Sequence, residues 1–271
     1  MKTREAKVGK AIIRMAETKS GYAGIVLIGN KTKRLEADNP EELWQQLHRE
    51  VERSHPNFFG FNGAKNRFLR IFPEGFRSAL YCKEERDYKL RAKDKLDAAV
   101  PLERALTESG LGETILPALG TNLLHPIENA KFREALRGPR GDQFIRGAAV
   151  FAEGDFASGL LQMDKALRPH GVANWTAVTY FPFLWKPAVH MFLKPEVTKK
   201  FAERVGHSFS ARYSSQLNAS TYASLLDLVD TTDREIDELR PVDHIDTQSF
   251  IWVVGEYTAD DELAVHAAPG K

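Results

Sequence analysis

The stretch AIIRMAETKSGYAGIVLIGNKTKRLEA, Ala11 to Ala37, decides the fold class. Apolar and polar residues alternate along it, and turn residues fall at Ser20-Gly21 and Gly29-Asn30. It therefore reads as three strands, Ala11 to Ala16, Tyr22 to Ile28 and Arg34 to Ala37, in a small antiparallel meander. Working outward, Asp38 or Asn39 is placed to cap a helix with Pro40 at its first position. Leu43, Trp44, Leu47 and Val51 then repeat on one helical face, ending near Ser54.

Further along, the period changes. The run from Phe58 to Phe76 holds six phenylalanines in nineteen residues, punctuated by glycine and proline. It reads as a buried, sharply turning crossover, in which a helix over Asn66 to Phe72 turns its phenylalanines inward. EERDYKLRAKDKL, Glu84 to Leu96, mixes strong helix formers with both charges and predicts a solvated helix. Helices follow over 101–109, 110–119, 126–137 and 142–167, the last broken at Gly154-Asp155, with two more over 195–205 and 222–239. Trp175 to Trp185 and Phe250 to Val254 have the β-branched and aromatic content of buried strands, with a buried helix as the alternative. Ala188 to Lys194 reads as a further short strand.

The fold class is thus α+β: a small N-terminal antiparallel β-meander with a helix, an α-rich middle, and short strands or buried helices in the C-terminal third. A boundary near residue 100 separates an N-terminal α+β region (1–100) from a mainly helical region (101–271), unless the two form one continuous domain.

At 271 residues, 42% hydrophobic and 28% charged, the composition is that of a globular chain. No apolar run approaches the roughly 20 residues needed to cross a bilayer, and the basic start lacks a signal-like apolar core. A cytoplasmic protein without a membrane contact is expected, and the end beyond Ala259 is expected to be disordered. The single cysteine, Cys82, sits among Lys83, Glu84 and Glu85 with no adjacent histidine, which argues against a nucleophile.

The eight histidines show no ligand spacing. Asp243-His244-Ile245-Asp246 reads as an acidic cap rather than a cation site. No Walker loop occurs, and Gly206-His207-Ser208-Phe209-Ser210 lacks the glycine of a nucleophile elbow. Asp87-Tyr88-Lys89 spells a nuclease triplet, but on a helix its acid and lysine diverge. No metal or cofactor is called for.

The informative feature is the charge distribution. Lys65 to Lys95 holds ten Lys/Arg against five Asp/Glu, whereas Asp227 to Glu262 holds twelve Asp/Glu against two Arg. Such asymmetry points either to a polyanion partner or to internal pairing. The expected function is a non-enzymatic interaction protein that binds nucleic acid or an acidic protein through Lys65, Arg67, Arg70, Arg77, Arg86, Lys89, Arg91 and Lys93, with Lys95 continuing the series. A second candidate is an apolar pocket with cationic ends around Trp185, Lys186, His190 and Lys194. Two alternatives stand beside the first reading. One is an enzyme with dispersed residues, Arg67, Lys89, His190, Lys194 and Asp246, in a pocket between the two regions. The other is a structural subunit of an assembly; oligomeric state is left open.

Overall fold

The computed structural model describes residues 3–8, 11–53, 57–258, 260–261 and 265. Four strands form one antiparallel sheet in sequence order: β1 (Thr3–Val8), β2 (Ala11–Thr18), β3 (Gly21–Ile28) and β4 (Lys31–Ala37). The three expected strands are present. The fourth, β1, adds to the β2 edge with Ala6 opposite Ile13; its polar sequence TREAKV carries too little alternation to announce a strand.

Asn39 caps α1 (Pro40–Arg53), its side-chain oxygen accepting from the N–H groups of Glu41 and Glu42 at 2.9 and 3.1 Å. Leu43, Trp44 and Leu47 then pack on Ala11, Ile13, Met15 and Val26, a self-contained apolar cluster. Gly24 permits the close approach, because a Cβ there would lie 2.4 Å from Leu47 Cδ1. Arg4 seals one side by lying 4.1 Å over the Trp44 ring and pairing with Glu41 at 2.7 Å.

The rest is helical: α2 (Gly60–Ile71), α3 (Ala79–Tyr81), a π-helical turn (Cys82–Arg86) leading into α4 (Asp87–Ala99), α5 (Leu102–Thr107), α6 (Pro126–Arg137), α7 (Gly141–Ala152), α8 (Phe156–Leu167), α9 (Trp175–Trp185), α10 (Pro195–Val205), α11 (Phe209–Arg212), α12 (Ala219–Glu235) and α13 (His244–Glu256). A second apolar cluster runs from Ala64 to Val254 and crosses position 100 through Leu96, Val100 and Leu102. In the α7–α8 hairpin a Cβ on Gly159 would lie 2.7 Å from the Gly147 carbonyl, so only glycine allows that crossing.

Trp175 to Trp185 and Phe250 to Val254 take the buried-helix alternative, in α9 and α13, and two other expectations need correction. Every residue of α9 is buried, which erases the helical alternation of polar and apolar positions, while Asn174 caps the helix by accepting from Ala177 N–H at 3.0 Å. Ala188 to Lys194 joins no sheet; side chains serve its backbone instead, Tyr222 Oη accepting from Met191 N–H and Thr179 Oγ1 from Leu193 N–H. Over 110–119 only Leu116–Leu119 is helical, as a 3₁₀ turn, because Asp142 draws the N–H groups of Gly110 and Leu111 onto its carboxylate at 2.8 and 3.0 Å. Ser54, the expected end of α1, and most of the tail beyond Ala259 lie outside the described residues. Among the described residues, no helix is long and apolar enough to cross a membrane.

Candidate functional site

Four of the ten cations in the basic run at 65–95, namely Lys65, Arg67, Arg86 and Lys89, are turned inward onto the C-terminal third. Lys65 pairs with Glu238 at 2.9 Å. Arg86 reaches Asp243 at 2.9 Å and Asp246 at 2.6 Å, the two carboxylates that box the N-terminus of α13 by accepting from Ile245 and Val242 N–H. Arg67 donates to the Tyr257 carbonyl and Arg204 to that of Val254, so two guanidinium groups satisfy the far end of the same helix.

Lys89, expected among the cations offered to phosphate, is fully buried. Its ammonium donates to Glu85 at 3.2 Å and to Ser249 Oγ at 2.8 Å, and Glu85 accepts from Tyr257 Oη at 2.7 Å. Helical spacing explains the correction, since Glu85, Lys89, Ala92 and Leu96 line one inward stripe that two charges share with two apolar residues. Burial lowers the Lys89 pKa against the pull of Glu85. Burial, reinforced by Asp246 at 2.6 Å, raises that of Tyr81 well above the phenol range. For Arg86, burial works against the charge but Asp243 and Asp246 outweigh it, and its pKa rises. Ser249 beside Lys89 has the composition of a nucleophile and base, yet both are fully buried, so the pair serves the core. Arg70, Arg77 and Arg91 lie at the surface, as does Lys95, while Lys93 pairs with Asp97 at 2.6 Å.

The second candidate set is dispersed. Trp185 Nε1 donates to the Val100 carbonyl at 2.9 Å, and Lys186 pairs with Glu153 at 2.9 Å. His190 is buried among Phe151, Phe156 and Tyr222, with its ring nitrogens on Tyr222 Oη and the Ala152 carbonyl; burial lowers its pKa. Of the four, only Lys194 lines the cleft beside Trp252. Among the described residues no cluster of His, Cys, Asp and Glu is arranged to hold a metal.

The surface that sequence reading missed is the sheet face turned away from α1. Cross-strand register aligns Glu5, Arg14, Ile25 and Arg34 in one row across all four strands, with Lys7, Ile12, Leu27 and Thr32 in the next and Thr3, Ala16, Ala23 and Glu36 on the other side. A shallow groove of about 450 Å³ follows the first and last of these rows and is lined by Arg14, Ile25, Arg34, Thr3, Ala16 and Ala23 among others. Together these rows carry Lys7, Arg14 and Arg34 against Glu5 and Glu36, whereas Arg4 and Lys33 turn to the α1 side, onto Trp44 and Glu50. Arg14 pairs with Glu5 and Arg34 with Glu36, both at 2.7 Å and well exposed, so neither pair holds its cation strongly. Residues 1–37 carry nine Lys/Arg against three Glu, a larger excess than the 65–95 run, but the count does not say which side of the sheet each cation takes.

No family model, no curated protein and no solved structure matches this chain.

Proposed function

We propose that the chain is a non-enzymatic nucleic-acid-binding protein, and that its contact surface is the open face of the sheet. The observation that carries this reading is the Glu5-Arg14-Ile25-Arg34 row on a sheet face that no element packs against among the described residues, where Lys7, Arg14 and Arg34 stand against Glu5 and Glu36. Arg14 and Arg34 stand two strands apart, about 10 Å at the backbone, which suits the roughly 12 Å width of a DNA major groove. The α1 side carries the core, so the other face is left to meet a partner. Cations on that face would release counterions from phosphates, while Ile12, Ile25 and Leu27 offer apolar contact to base edges. The inward pairing of Lys65, Arg86 and Lys89 supports this placement over one centred on 65–95.

Fluorescence anisotropy with a labelled DNA duplex over a salt series tests the reading. Wild type should bind with a steep salt dependence, and R14E/R34E should weaken binding by at least about tenfold near 0.1 M salt. Loss instead in R77E/R91E/K95E would return the interface to the helical region. Binding polyglutamate as tightly as DNA would favour an acidic protein partner, and no affinity for DNA or RNA at low salt would sink the proposal.

A further inference from the structure

Lys194 is the N-cap residue of α10 and is half-buried, a costly setting for an ammonium group. Its Nζ donates to the Leu123 carbonyl at 3.3 Å and lies 4.7 Å from the centre of the Trp252 ring. Among the described residues it makes no ion pair, whereas its neighbours Lys199 and Lys200 are each paired, with Glu196 at 2.7 Å and Glu256 at 2.9 Å. Two of its three donor positions therefore remain to be used. Burial lowers its pKa, and Glu128 is the carboxylate that opposes this most.

Lys194 opens onto a cleft of about 570 Å³, a volume in the range of small-molecule sites. Trp175, Trp252 and Tyr213 line it, with Glu128 beside Asn174 and Thr176; Glu196, Lys200 and Glu256 also line it, each already held in an ion pair. Glu128 Oε1 accepts from Asn174 Nδ2 at 2.6 Å and from the Thr176 hydroxyl, which fixes the carboxylate, and its Oε2 takes no hydrogen bond among the described residues. Of the charged groups that line the cleft, Lys194 and Glu128 are thus the cation and the carboxylate with no ion pair among the described residues.

We propose that this cleft binds a small zwitterion with an aromatic side chain, of the α-amino acid class. The ligand carboxylate sits on Lys194, its ammonium on Glu128 Oε2, and its ring against Trp252. A simple carboxylate fits less well, since Glu128 would face it with a like charge. The site is separate from the sheet face, and neither proposal depends on the other.

Isothermal titration calorimetry on the full chain, with L-phenylalanine, L-tryptophan, 3-phenylpropionate and phenethylamine, tests it. An amino acid should bind with Kd below about 1 mM, and both singly charged analogues should bind at least about tenfold more weakly. K194M should remove the amino-acid heat while the thermal melt shows a folded chain. E128Q, which keeps an acceptor for Asn174, should lose affinity for the amino acid but not for 3-phenylpropionate. Absence of saturable binding by any amino acid, equal binding of 3-phenylpropionate, or undiminished binding by folded K194M would each overturn the proposal.

Discussion

Lys89 shows how far a residue's setting can depart from its sequence neighbourhood. It lies in EERDYKLRAKDKL, yet it is buried against Glu85 and Ser249. Breaking a buried ion pair leaves an uncompensated charge, so K89M should cost about 3 kcal/mol of unfolding free energy, while K89M/E85Q removes both charges and should cost less than the sum of the single changes. Urea denaturation of the four proteins measures the coupling, and strict additivity would show that Glu85 and Lys89 do not depend on each other.

Among the elements, α13 is the one most completely fastened. Asp243 and Asp246 close its start under Arg86, Lys89 reaches Ser249 in its middle, and Arg67 with Arg204 takes its last carbonyls. His244 links this helix to α12 through Asp233 at 3.5 Å and to the α9–α10 connection through the His190 carbonyl at 3.1 Å. Burial disfavours the His244 cation, but Asp233 reverses that and its folded pKa is raised. Its stabilising contribution is therefore full below the ordinary value of about 6.5 and fades as pH rises through the raised folded pKa. H244Q should cost more stability near pH 5.5 than near pH 8.5, as read from urea midpoints at both values. An equal cost at both would mean that His244 is held as a neutral ring. His190 titrates in the opposite sense, since burial lowers its pKa, so wild-type profiles alone mix the two effects.

At the scale of the molecule, the β-meander with α1 and the helical body hold separate apolar clusters, one from Ala11 to Leu47 and one from Ala64 to Val254. L47A removes a fully buried side chain from the smaller cluster and should cost about 2–5 kcal/mol there. Hydrogen exchange should then show lost protection in β2 and β3 with α7 and α9 unchanged. Uniform loss across both clusters would show that they unfold as one. Among the described residues the same separation leaves no element packed on the outer sheet face, since α1 packs on the inner one.

How much was legible in the chain follows from where local rules apply. Alternation and turn residues at 11–37, the Asn39-Pro40 start of α1 and the Pro126 and Pro195 starts of α6 and α10 are local signals, and the structure keeps them. The excess of lysine and arginine along residues 1–37 was likewise readable by count. The state of α9 was not, because a segment buried on all sides loses the periodicity that separates helix from strand. Internal pairing was one of the two readings of the charge asymmetry, but which of the 65–95 cations turn inward was beyond sequence, since Glu238, Asp243, Asp246 and Tyr257 lie over 150 residues away from the groups they meet. Only tertiary packing decides whether a charge faces water or a distant partner, and here it turned Lys89 inward while leaving Arg14 and Arg34 on an open face.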